Sequence, residues 1–244
     1  MAPTNYQPRE VLAHVVDVSP INHDVYRVTL QLPRRDEVGF HAGQYLSVNL
    51  PDAEPCYFSI ASSPAAELIE LQIQACPDGG AARRVIDALL SGEDVPVVLP
   101  HGKACLTTPP NKPLLLVAAG TGFAQIKSLV EYLRDQPFDQ PVKLFWGVRK
   151  QEDMYLRSLA QQWHDDWSPL TFTPVVKDDA DNDWEGHHEP LVRAVLASGV
   201  DWQNVEVHAS GSPTMVYTLM DALLEQGMPE QAFFSDVLEY APRS

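Results

Sequence analysis

Residues 114–124 read LLLVAAGTGFA, an apolar run that ends in two glycines separated by a threonine. The apolar run predicts a buried β-strand over 114–120, and apolar residues at helical spacing follow in FAQIKSLVEYLRD (123–135). Backbone N–H groups at a helix start and the positive end of the helix dipole suit a diphosphate, and glycine lets the diphosphate approach. The spacing is not G-x-G-x-x-G, so this stretch alone fits an ordinary tight turn equally well.

The alternation of strand and helix continues downstream of this stretch. Strands are predicted at 114–120, 142–148, 170–176 and 205–211, and helices at 123–135, 151–163, 189–199 and 213–227. Continuous apolar strands that alternate with helices predict a parallel sheet with both faces covered. We therefore expect an α/β domain with a doubly wound parallel sheet over residues 109–244.

Upstream, the pattern is one of short strands rich in β-branched and aromatic residues. Strands are predicted at 10–20, 24–33, 44–51, 57–62, 68–75 and 95–100, with one helix at 81–92. Short, evenly spaced strands predict an antiparallel β-barrel. Three prolines in TTPPNKP (107–113) mark a boundary, because proline continues neither element easily. We expect the barrel domain to occupy residues 1–108.

Three strand ends of the predicted parallel sheet carry glycine. They are AAGTGFA (118–124), FWGVRK (145–150) and SGSPTMV (210–216). Ligands bind at the carboxyl ends of strands in open α/β sheets, so three glycine-bearing ends in one sheet indicate a ligand site better than one does. Arg149 and Lys150 are either phosphate ligands or solvated surface cations. Pro213 suits a first helical turn.

The 244-residue sequence is acidic, with 17 Lys and Arg against 33 Asp and Glu and a formal net charge of −16. An anionic surface repels phosphate backbones and anionic lipid, so we expect neither nucleic acid nor a membrane as a partner. The N-terminal sequence lacks signal-peptide features, no apolar run reaches 18 residues, and the three cysteines are far apart. These features predict a cytoplasmic protein with free thiols.

Metal and nucleophile sites have little support in the sequence. His187 and His188 stand beside Glu185 and Glu189 without H-E-x-x-H spacing, so a solvated loop is the simpler interpretation, and no metal is predicted. The acidic run at 178–183 is likewise interpreted as a solvated loop. The sequence contains no G-x-S-x-G, so nucleophilic hydrolysis has no local support.

Seven blocks, taken in order, resemble the ferredoxin–NADP reductase superfamily. The blocks are HAGQYLSV (41–48), YFSIASSP (57–64), PHGKA (100–104), LLLVAAGTGFA (114–124), LFWGVR (144–149), SGSPTMV (210–216) and FFSDVLEYAP (233–242). The sequence most resembles the short NAD(P)H:flavin oxidoreductase branch, and the resemblance covers nearly the whole chain. It implies a flavin-binding β-barrel followed by an α/β domain that binds a nicotinamide dinucleotide.

The resemblance also implies the residues of the flavin site. It assigns to the flavin ring the residues Tyr57, Phe58, Ser59, Ile60 and Ala61. Ser59 falls where the serine of the family hydrogen-bonds near the flavin N5, an atom that gains electron density as it accepts a hydride. Asp236 falls near the ring in related proteins. Ser59 and Asp236 are therefore the candidate catalytic residues.

The nicotinamide site is implied in the same way. The resemblance places Gly120, Thr121 and Gly122 along the dinucleotide, and Ser210, Gly211, Pro213 and Met215 near the nicotinamide. Arg149 falls beside the adenosine phosphates or ribose. Arg149 and Lys150 favour NADPH, whereas the acidic loop after Val176 favours NADH, which we expect by a small margin.

Three positions depart from the family pattern. Cys56 stands where the family carries an arginine that meets the flavin phosphate or the polar ring edge, and it offers no charge. We therefore expect flavin to bind loosely, as a substrate that leaves. Ser210 replaces a cysteine that is common near the nicotinamide, a change compatible with activity. The usual Gly-Arg-x-Gly reads GHHE at 186–189, which leaves the role of that loop open.

Three functions are compatible with these features. In the first, the protein reduces free FMN, FAD or riboflavin with NADH or NADPH and releases the product to a partner such as a flavin-dependent monooxygenase. In the second, bound FAD passes electrons to a separate oxygenase or ferredoxin; the sequence has no C-x₄-C-x₂-C run, so electrons leave from the flavin itself, which favours the first. The third is a non-catalytic module that binds dinucleotide or flavin, suggested only by Cys56. Hydride transfer needs two aligned rings and no acid–base triad, so the lack of a triad agrees with the first two.

Overall fold

Short β-strands dominate the first hundred residues of the computed structural model, which describes residues 5–33, 38–177 and 188–243. The strands are β1 (Arg9–Pro20), β2 (Val25–Gln31), β3 (Tyr45–Val48), β4 (Cys56–Ser59), β5 (Ile69–Gln74) and β6 (Val95–His101), and helix α1 (Ala81–Leu89) lies between β5 and β6. Each of these elements overlaps its predicted position, which confirms the secondary structure expected for this region.

The six strands form one antiparallel sheet in the order β4-β3-β6-β1-β2-β5. An isolated antiparallel bridge between Ile60 and Leu71 joins the two ends of this order, next to β4 and within β5. The sheet is therefore a nearly closed barrel, in which few strand edges stay unpaired. The expected antiparallel β-barrel is confirmed.

The barrel interior is filled by side chains that alternate along the strands. Val28 and Leu30 of β2 and Leu71 and Ile73 of β5 are fully buried in one core, as period-two alternation requires. Helix α1 adds Val85, Ile86 and Leu89 to the same core. The helical spacing of those apolar residues is thus explained by burial of one helix face against the barrel.

A second, parallel sheet follows. Its strands are β7 (Leu114–Ala119), β8 (Val142–Val148), β9 (Leu170–Val176), β10 (Glu206–Ser210) and β11 (Phe233–Phe234), and its helices are α2 (Phe123–Arg134), α3 (Arg157–Asp166), α4 (Glu189–Leu196), α5 (Pro213–Glu225) and α6 (Val237–Tyr240). The strand order is β11-β10-β7-β8-β9, and every neighbouring pair is parallel. The chain winds outward from β7 to β9 and returns to the other side of β7 with β10. The expected doubly wound sheet is confirmed, and its topological switch point lies between β7 and β10.

Three elements of the sheet unit differ from the sequence prediction: α3 begins later than expected, and neither β11 nor the four-residue helix α6 was predicted. The helix predicted at 151–163 begins only at Arg157, because residues Gln151–Asp153 form a separate 3₁₀ turn. Asp153 Oδ2 accepts a hydrogen bond from the Lys150 backbone N–H at 2.9 Å, a capping-box contact of this turn. Strand β11 was not predicted, since its two residues are defined only by their pairing with β10.

The chain divides into two compact units. One contains Met1–Thr108 with Lys127–Gln136, and we call it the barrel unit; the other contains Pro109–Ile126 with Pro137–Ser244, and we call it the sheet unit. Most of α2 therefore groups with the barrel strands, whereas its first turn groups with the parallel sheet. The domain boundary at residues 108 and 109 stays a prediction.

Of the helices that the structure describes, none has both the length and the hydropathy that a membrane crossing requires.

Candidate functional site

The glycine turn after β7 lies at the switch point of the sheet unit. Gly120, Thr121 and Gly122 form a single 3₁₀ turn, and α2 begins immediately afterwards at Phe123. Gly120 has a positive φ of 54°, and a side chain built there would meet no atom within 4 Å. The turn therefore presents bare backbone to open space, the arrangement that lets a phosphate group approach main-chain N–H groups.

The other two glycines of the switch point serve close packing. A β-carbon at Gly122 would overlap the carbonyl oxygen of Ser210, at the end of β10. A β-carbon at Gly211 would lie 2.6 Å from the Met215 methyl group and 3.0 Å from the Ala119 β-carbon. The structure therefore brings together the glycine turn and the Ser210–Gly211 strand end, as the sequence predicted from three separate stretches. Met215 is fully buried, so its side chain supports Gly211 from the interior.

Trp146 anchors the glycine turn from the neighbouring strand. Its indole Nε1–H donates a hydrogen bond to the Gly120 carbonyl at 3.0 Å. The indole also stacks on Phe123, with ring centroids 3.8 Å apart and an interplanar angle of 9°, and Trp163 stacks against Phe123 at 5.8 Å. Sequence reasoning did not single out Trp146, although strand pairing places it beside Ala118, two residues before the turn.

The start of α5 forms a second element of this edge. Ser212 caps the helix by accepting a hydrogen bond from the Met215 N–H at 3.3 Å, and Pro213 occupies the first turn, as predicted. His188 Nε2 lies 3.3 Å from Ser212 Oγ. His188 is buried, which lowers its pKa below the ordinary value, so the interpretation of this histidine as part of a solvated loop is wrong. Burial follows from its position at the start of α4, whose apolar face packs on the sheet.

Part of this region lies outside the described residues. The predicted acidic loop at 178–183, Trp184, Glu185 and the first two positions of the loop at 186–189 belong to it. Glu189, which the sequence interpretation grouped with the histidines, is described and begins α4.

Arg149 and Lys177 follow neighbouring strands. Arg149 is exposed directly after β8, and Lys177 follows β9, where its N–H donates to the Val148 carbonyl at 3.1 Å. Lys177 also lines a shallow recess, with Gly147, Val175 and His188 among its neighbours. Lys177 is a cation at the carboxyl edge that sequence reasoning missed, because the strand end preceding it carries no glycine.

Asp236 is buried just before the short helix α6. Its Oδ2 accepts a hydrogen bond of 2.9 Å from Nε2 of Gln125, which lies in the first turn of α2 and is 3 % exposed. Burial, and secondarily the charge of Asp236, raises the pKa of Tyr240. The structure thus places this carboxylate within the sheet unit and joins it to α2 through a neutral amide; its catalytic role stays a prediction.

Strand β4 of the barrel unit divides the predicted flavin residues between two faces. Cys56 and Phe58 pack against the barrel core, whereas Tyr57 is 59 % exposed. Successive side chains of a strand point in opposite directions, so a planar ring stacks on Tyr57 or on Phe58 and not on both. Ile60 and Ala61 are fully buried and hold the strand end through backbone bonds to Gln44 and Glu70.

Ser59 is half-buried at the end of β4 and pairs with Tyr45 of β3. Within residues 5–33, 38–177 and 188–243, its hydroxyl makes no hydrogen bond with the protein. A half-buried hydroxyl at a strand end is available to a ligand, and the role that the resemblance implies for Ser59 stays a prediction.

Three rings beside Ser59 form what we call the aromatic patch: Tyr45, Tyr57 and His101. Tyr45 and His101 stack with centroids 5.4 Å apart, and Tyr57 meets both edge-on at 5.8 Å. Burial lowers the pKa of His101, which favours the neutral imidazole. Its Nε2 is buried and has no hydrogen-bond partner among the described residues.

Cys56 is half-buried. Its Sγ lies 3.8 Å from the Glu54 carbonyl, to which it is a weak donor. A cysteine at this position supplies no cation to the strand, and its departure from the family pattern stays an expectation from the resemblance.

Models of two protein families match the two halves of the chain. The oxidoreductase FAD-binding domain matches residues 12–105, and the oxidoreductase NAD-binding domain matches residues 116–220. Their order along the chain is the order of the barrel and of the parallel sheet.

Curated relatives and a solved structure extend these matches. The chain is 31% identical over 220 residues to a reductase component of terephthalate 1,2-dioxygenase from Comamonas, covering 90% of this chain and 65% of that protein. It is 30% identical over 203 residues to an NAD(P)H-flavin reductase from Aliivibrio fischeri, covering 81% of this chain and 84% of the relative. The crystal structure of an Amycolatopsis cytochrome P450 reductase is similar with a TM-score of 0.82 and 25% identity, over 95% of this chain and 70% of that one.

These matches differ in the share of each relative that they cover. The chain spans less than two thirds of the length of the dioxygenase reductase component but most of the flavin reductase. The chain therefore belongs to the ferredoxin–NADP reductase superfamily, in its NAD(P)H:flavin oxidoreductase branch.

Proposed function

We propose that this protein is an oxidoreductase that transfers a hydride from NADH or NADPH to a flavin and releases the reduced flavin. The nicotinamide supplies the hydride from its C4, and FMN, FAD or riboflavin accepts it at N5, so that two electrons leave the dinucleotide and enter the flavin. The residues of this chain bind and align the two rings. The names of the relatives from Aliivibrio fischeri and Vibrio harveyi, both NAD(P)H-flavin reductases, support the reaction type.

The observation that carries the proposal is the bare backbone of the glycine turn at the switch point. Gly120 faces open space, the turn starts a twelve-residue helix, and Trp146 holds the Gly120 carbonyl from behind. A diphosphate is the group that suits exposed N–H groups at the positive end of a helix dipole. Gly120, Thr121 and Gly122 therefore hold the dinucleotide in this proposal, with Ser210, Gly211 and Pro213 beside the nicotinamide and Arg149 beside the adenosine part.

The barrel unit supplies the flavin site in this proposal. Ser59 donates its hydroxyl hydrogen to the flavin N5, where electron density develops during hydride transfer. The aromatic patch next to it offers the exposed ring of Tyr57 as a stacking surface. Phe58 supports the strand from the core side.

Flavin is bound as a substrate that leaves. The half-buried, uncharged Cys56 supplies no cation to a flavin phosphate, which removes a charge-assisted contact. Purified protein should therefore lose its flavin during dialysis. Stoichiometric FAD that survives dialysis would contradict this part of the proposal and favour a reductase with a resident flavin.

That second function has support of its own in the names of relatives. Terephthalate 1,2-dioxygenase reductase components are similar to this chain, and so is a ferredoxin reductase of carbazole 1,9a-dioxygenase, although at 23% identity the latter speaks for the fold alone. In the first function the partner is an enzyme that consumes free reduced flavin, such as a monooxygenase. In the second it is an oxygenase or ferredoxin that takes electrons by direct contact.

A kinetic panel of two nicotinamides against three flavins tests the proposal. Protein, NADH or NADPH, and excess FMN, FAD or riboflavin are mixed in a stopped-flow instrument, and NADH absorbance is followed. Catalytic NADH loss that saturates with free flavin is the expected result. A single turnover limited to bound FAD would favour the electron-transfer component, and no NADH loss with any flavin would leave only a non-catalytic binding module.

The same panel measures the nicotinamide preference, for which we propose NADH. The acidic stretch after Val176 disfavours a 2′-phosphate, whereas Arg149 and Lys177 favour one. A higher kcat/KM with NADPH would reverse this assignment.

We also propose a cytoplasmic location, because the three cysteines are free thiols, which persist in a reducing compartment.

A further inference from the structure

A charge cluster around one buried ammonium, that of Lys127, joins α2 to strand β5 in the barrel unit. Lys127 is 6 % exposed, and its Nζ lies 3.1 Å from Glu70 Oε2 and 2.7 Å from Glu131 Oε1. Arg27 Nε lies 4.0 Å from the other oxygen of Glu70, so two cations face two carboxylates. A buried ammonium is tolerated only when it is paired and hydrogen-bonded, a condition that this cluster meets.

The residues of α2 around this cluster hold three consecutive residues of the chain. We call Ala61–Ser63 the exit segment, because it follows β4 and Ser59. Lys127 Nζ donates to the Ala61 carbonyl at 3.3 Å, and Ser128 Oγ donates to the Ser62 carbonyl at 2.8 Å. Glu131 Oε2 accepts a hydrogen bond from the Ser63 N–H at 3.2 Å.

Strand β5 holds the exit segment from its other side. The Ala61 N–H donates to the Glu70 carbonyl at 2.7 Å, and the Glu70 N–H donates to Ser62 Oγ at 3.0 Å. The backbone of Glu70 thus contacts the exit segment, while the carboxylate of Glu70 contacts Lys127. The Ala61 peptide is fixed on both sides, and Ser59 lies two residues away.

We infer that Lys127 is a positioning residue for the flavin site, an inference that rests on the proposed function. Its charge neutralises two carboxylates, while its N–H groups orient the Ala61 carbonyl and hence the backbone that aims Ser59. An apolar residue of similar length fills the space but leaves Glu70 and Glu131 facing one another without the cation between them. The exit segment then loses its anchor, and the backbone at Ser59 is held less firmly.

Lys127→Met and Lys127→Arg test the inference, with Lys143→Met as the matched control. Lys143 also donates to a backbone carbonyl, that of Ser198, but it lies on β8 of the sheet unit. FMN and NADH saturation curves are measured for each protein, together with hydrogen exchange of the peptide that covers residues 57–72. We expect Lys127→Met to raise the FMN KM or lower kcat by about tenfold, with the NADH KM within about twofold of the parent value.

Hydrogen exchange gives a readout that does not depend on the proposed reaction. Amides of the exit segment should exchange faster in Lys127→Met and at the parent rate in Lys143→Met, and Lys127→Arg should restore both protection and the FMN KM. Equal losses for flavin and NADH, or an exit segment protected as in the parent, would overturn the inference. If parent protein neither binds nor reduces flavin, the proposed function fails, and exchange alone still decides whether Lys127 holds the exit segment.

Glu131→Gln covers the case in which Lys127→Met does not fold. The amide oxygen still accepts from the Ser63 N–H, whereas the ion pair with Lys127 is lost. We expect an FMN KM above that of the parent and faster exchange of the exit segment. An FMN KM equal to the parent value, with exit-segment exchange also unchanged, would count against the ion pair as the source of positioning.

Discussion

The candidate ligand surface at the switch point of the sheet unit differs from that on strand β4 of the barrel unit in the part of the chain that forms it. At the switch point the candidate ligand surface is main chain: Gly120 is bare, and a β-carbon at Gly122 or Gly211 would overlap neighbouring atoms. On β4 the candidate surface is made of side chains, with Tyr57 exposed and Ser59 half-buried. Where the backbone itself forms the ligand surface, an added side chain at nearly any position disturbs the packing. Where side chains form the surface, one of them can be replaced without disturbing the others.

This difference predicts how each surface responds to a substitution. Losing one side chain weakens one contact, but adding one methyl group at the switch point moves a strand end. The following predictions test this contrast, beginning with the largest expected effect.

Gly122→Ala should be the most damaging single methyl group in the molecule. The new β-carbon overlaps the backbone oxygen of Ser210, which cannot move without shifting β10, so we expect a loss of about 3 kcal/mol in the free energy of unfolding. Denaturant unfolding measures this loss, and the NADH KM should rise with it. Gly120→Ala is the control: it meets no atom, and its positive φ should cost only about 1 kcal/mol. Equal free energies of unfolding for the two variants would contradict the distinction between a glycine packed against backbone and one that faces open space.

Ser59→Ala removes one side chain of the barrel surface and should leave the fold intact. The flavin N5 would lose a hydrogen-bond donor, so we expect kcat to fall by about thirtyfold, equivalent to about 2 kcal/mol, with the NADH KM unchanged. Steady-state kinetics with saturating FMN gives the result, and Ser59→Thr should recover much of the rate. A parent-like kcat for Ser59→Ala would exclude the hydroxyl from the reaction.

Trp146→Phe tests the anchor behind the glycine turn. The ring can still stack on Phe123, but the Gly120 carbonyl loses its 3.0 Å donor, so dinucleotide affinity should fall about tenfold, or about 1.4 kcal/mol. Titration of the protein with NADH measures the dissociation constant. Trp163→Phe shortens the other ring that stacks on Phe123 and should change NADH affinity little. Similar losses in both variants would assign the effect to ring packing.

Cys56→Arg should tighten FMN about fivefold, or about 1 kcal/mol, and riboflavin less, if a phosphate contact is what the chain lacks. Because Cys56 packs against the barrel core, the longer side chain must extend out of that face, and a small loss of stability is expected. Flavin fluorescence titration compares the two ligands. Equal tightening would point to the ring edge in place of the phosphate.

The smallest expected effect is a loss of folding stability at acidic pH, to which a histidine in each unit should contribute. Burial lowers the pKa of His101 and of His188 below 6.5, so the unfolded chain binds more protons than the folded one in the window below that pH. The free energy of unfolding should therefore be fully present above pH 6.5 and fall as the pH decreases through the lowered pKa values. His101→Phe and His188→Phe should each flatten part of this slope in denaturant unfolding. An unchanged slope in both variants would refute this origin.

Local periodicity determined much of this protein directly from its sequence. The barrel strands, the doubly wound sheet and the three glycine-bearing strand ends follow from patterns within about ten residues, because strand and helix periods and glycine turns are short-range properties. The convergence of the glycine turn with Ser210 and Gly211 was also predictable, since parallel strands end at one edge of a sheet. The aromatic cluster around Trp146 was not, because nothing near that residue in the sequence indicates a bond to Gly120.

The tertiary structure alone decided which polar side chains are buried and what they hold. His188 was interpreted as solvated and is buried, and Tyr57 and Phe58 were assigned to one ring and face opposite ways. Lys127 reaches a carbonyl 66 positions earlier in the chain. Contacts of this kind leave no local pattern, because they depend on two distant segments that desolvate each other only after the sheets have formed.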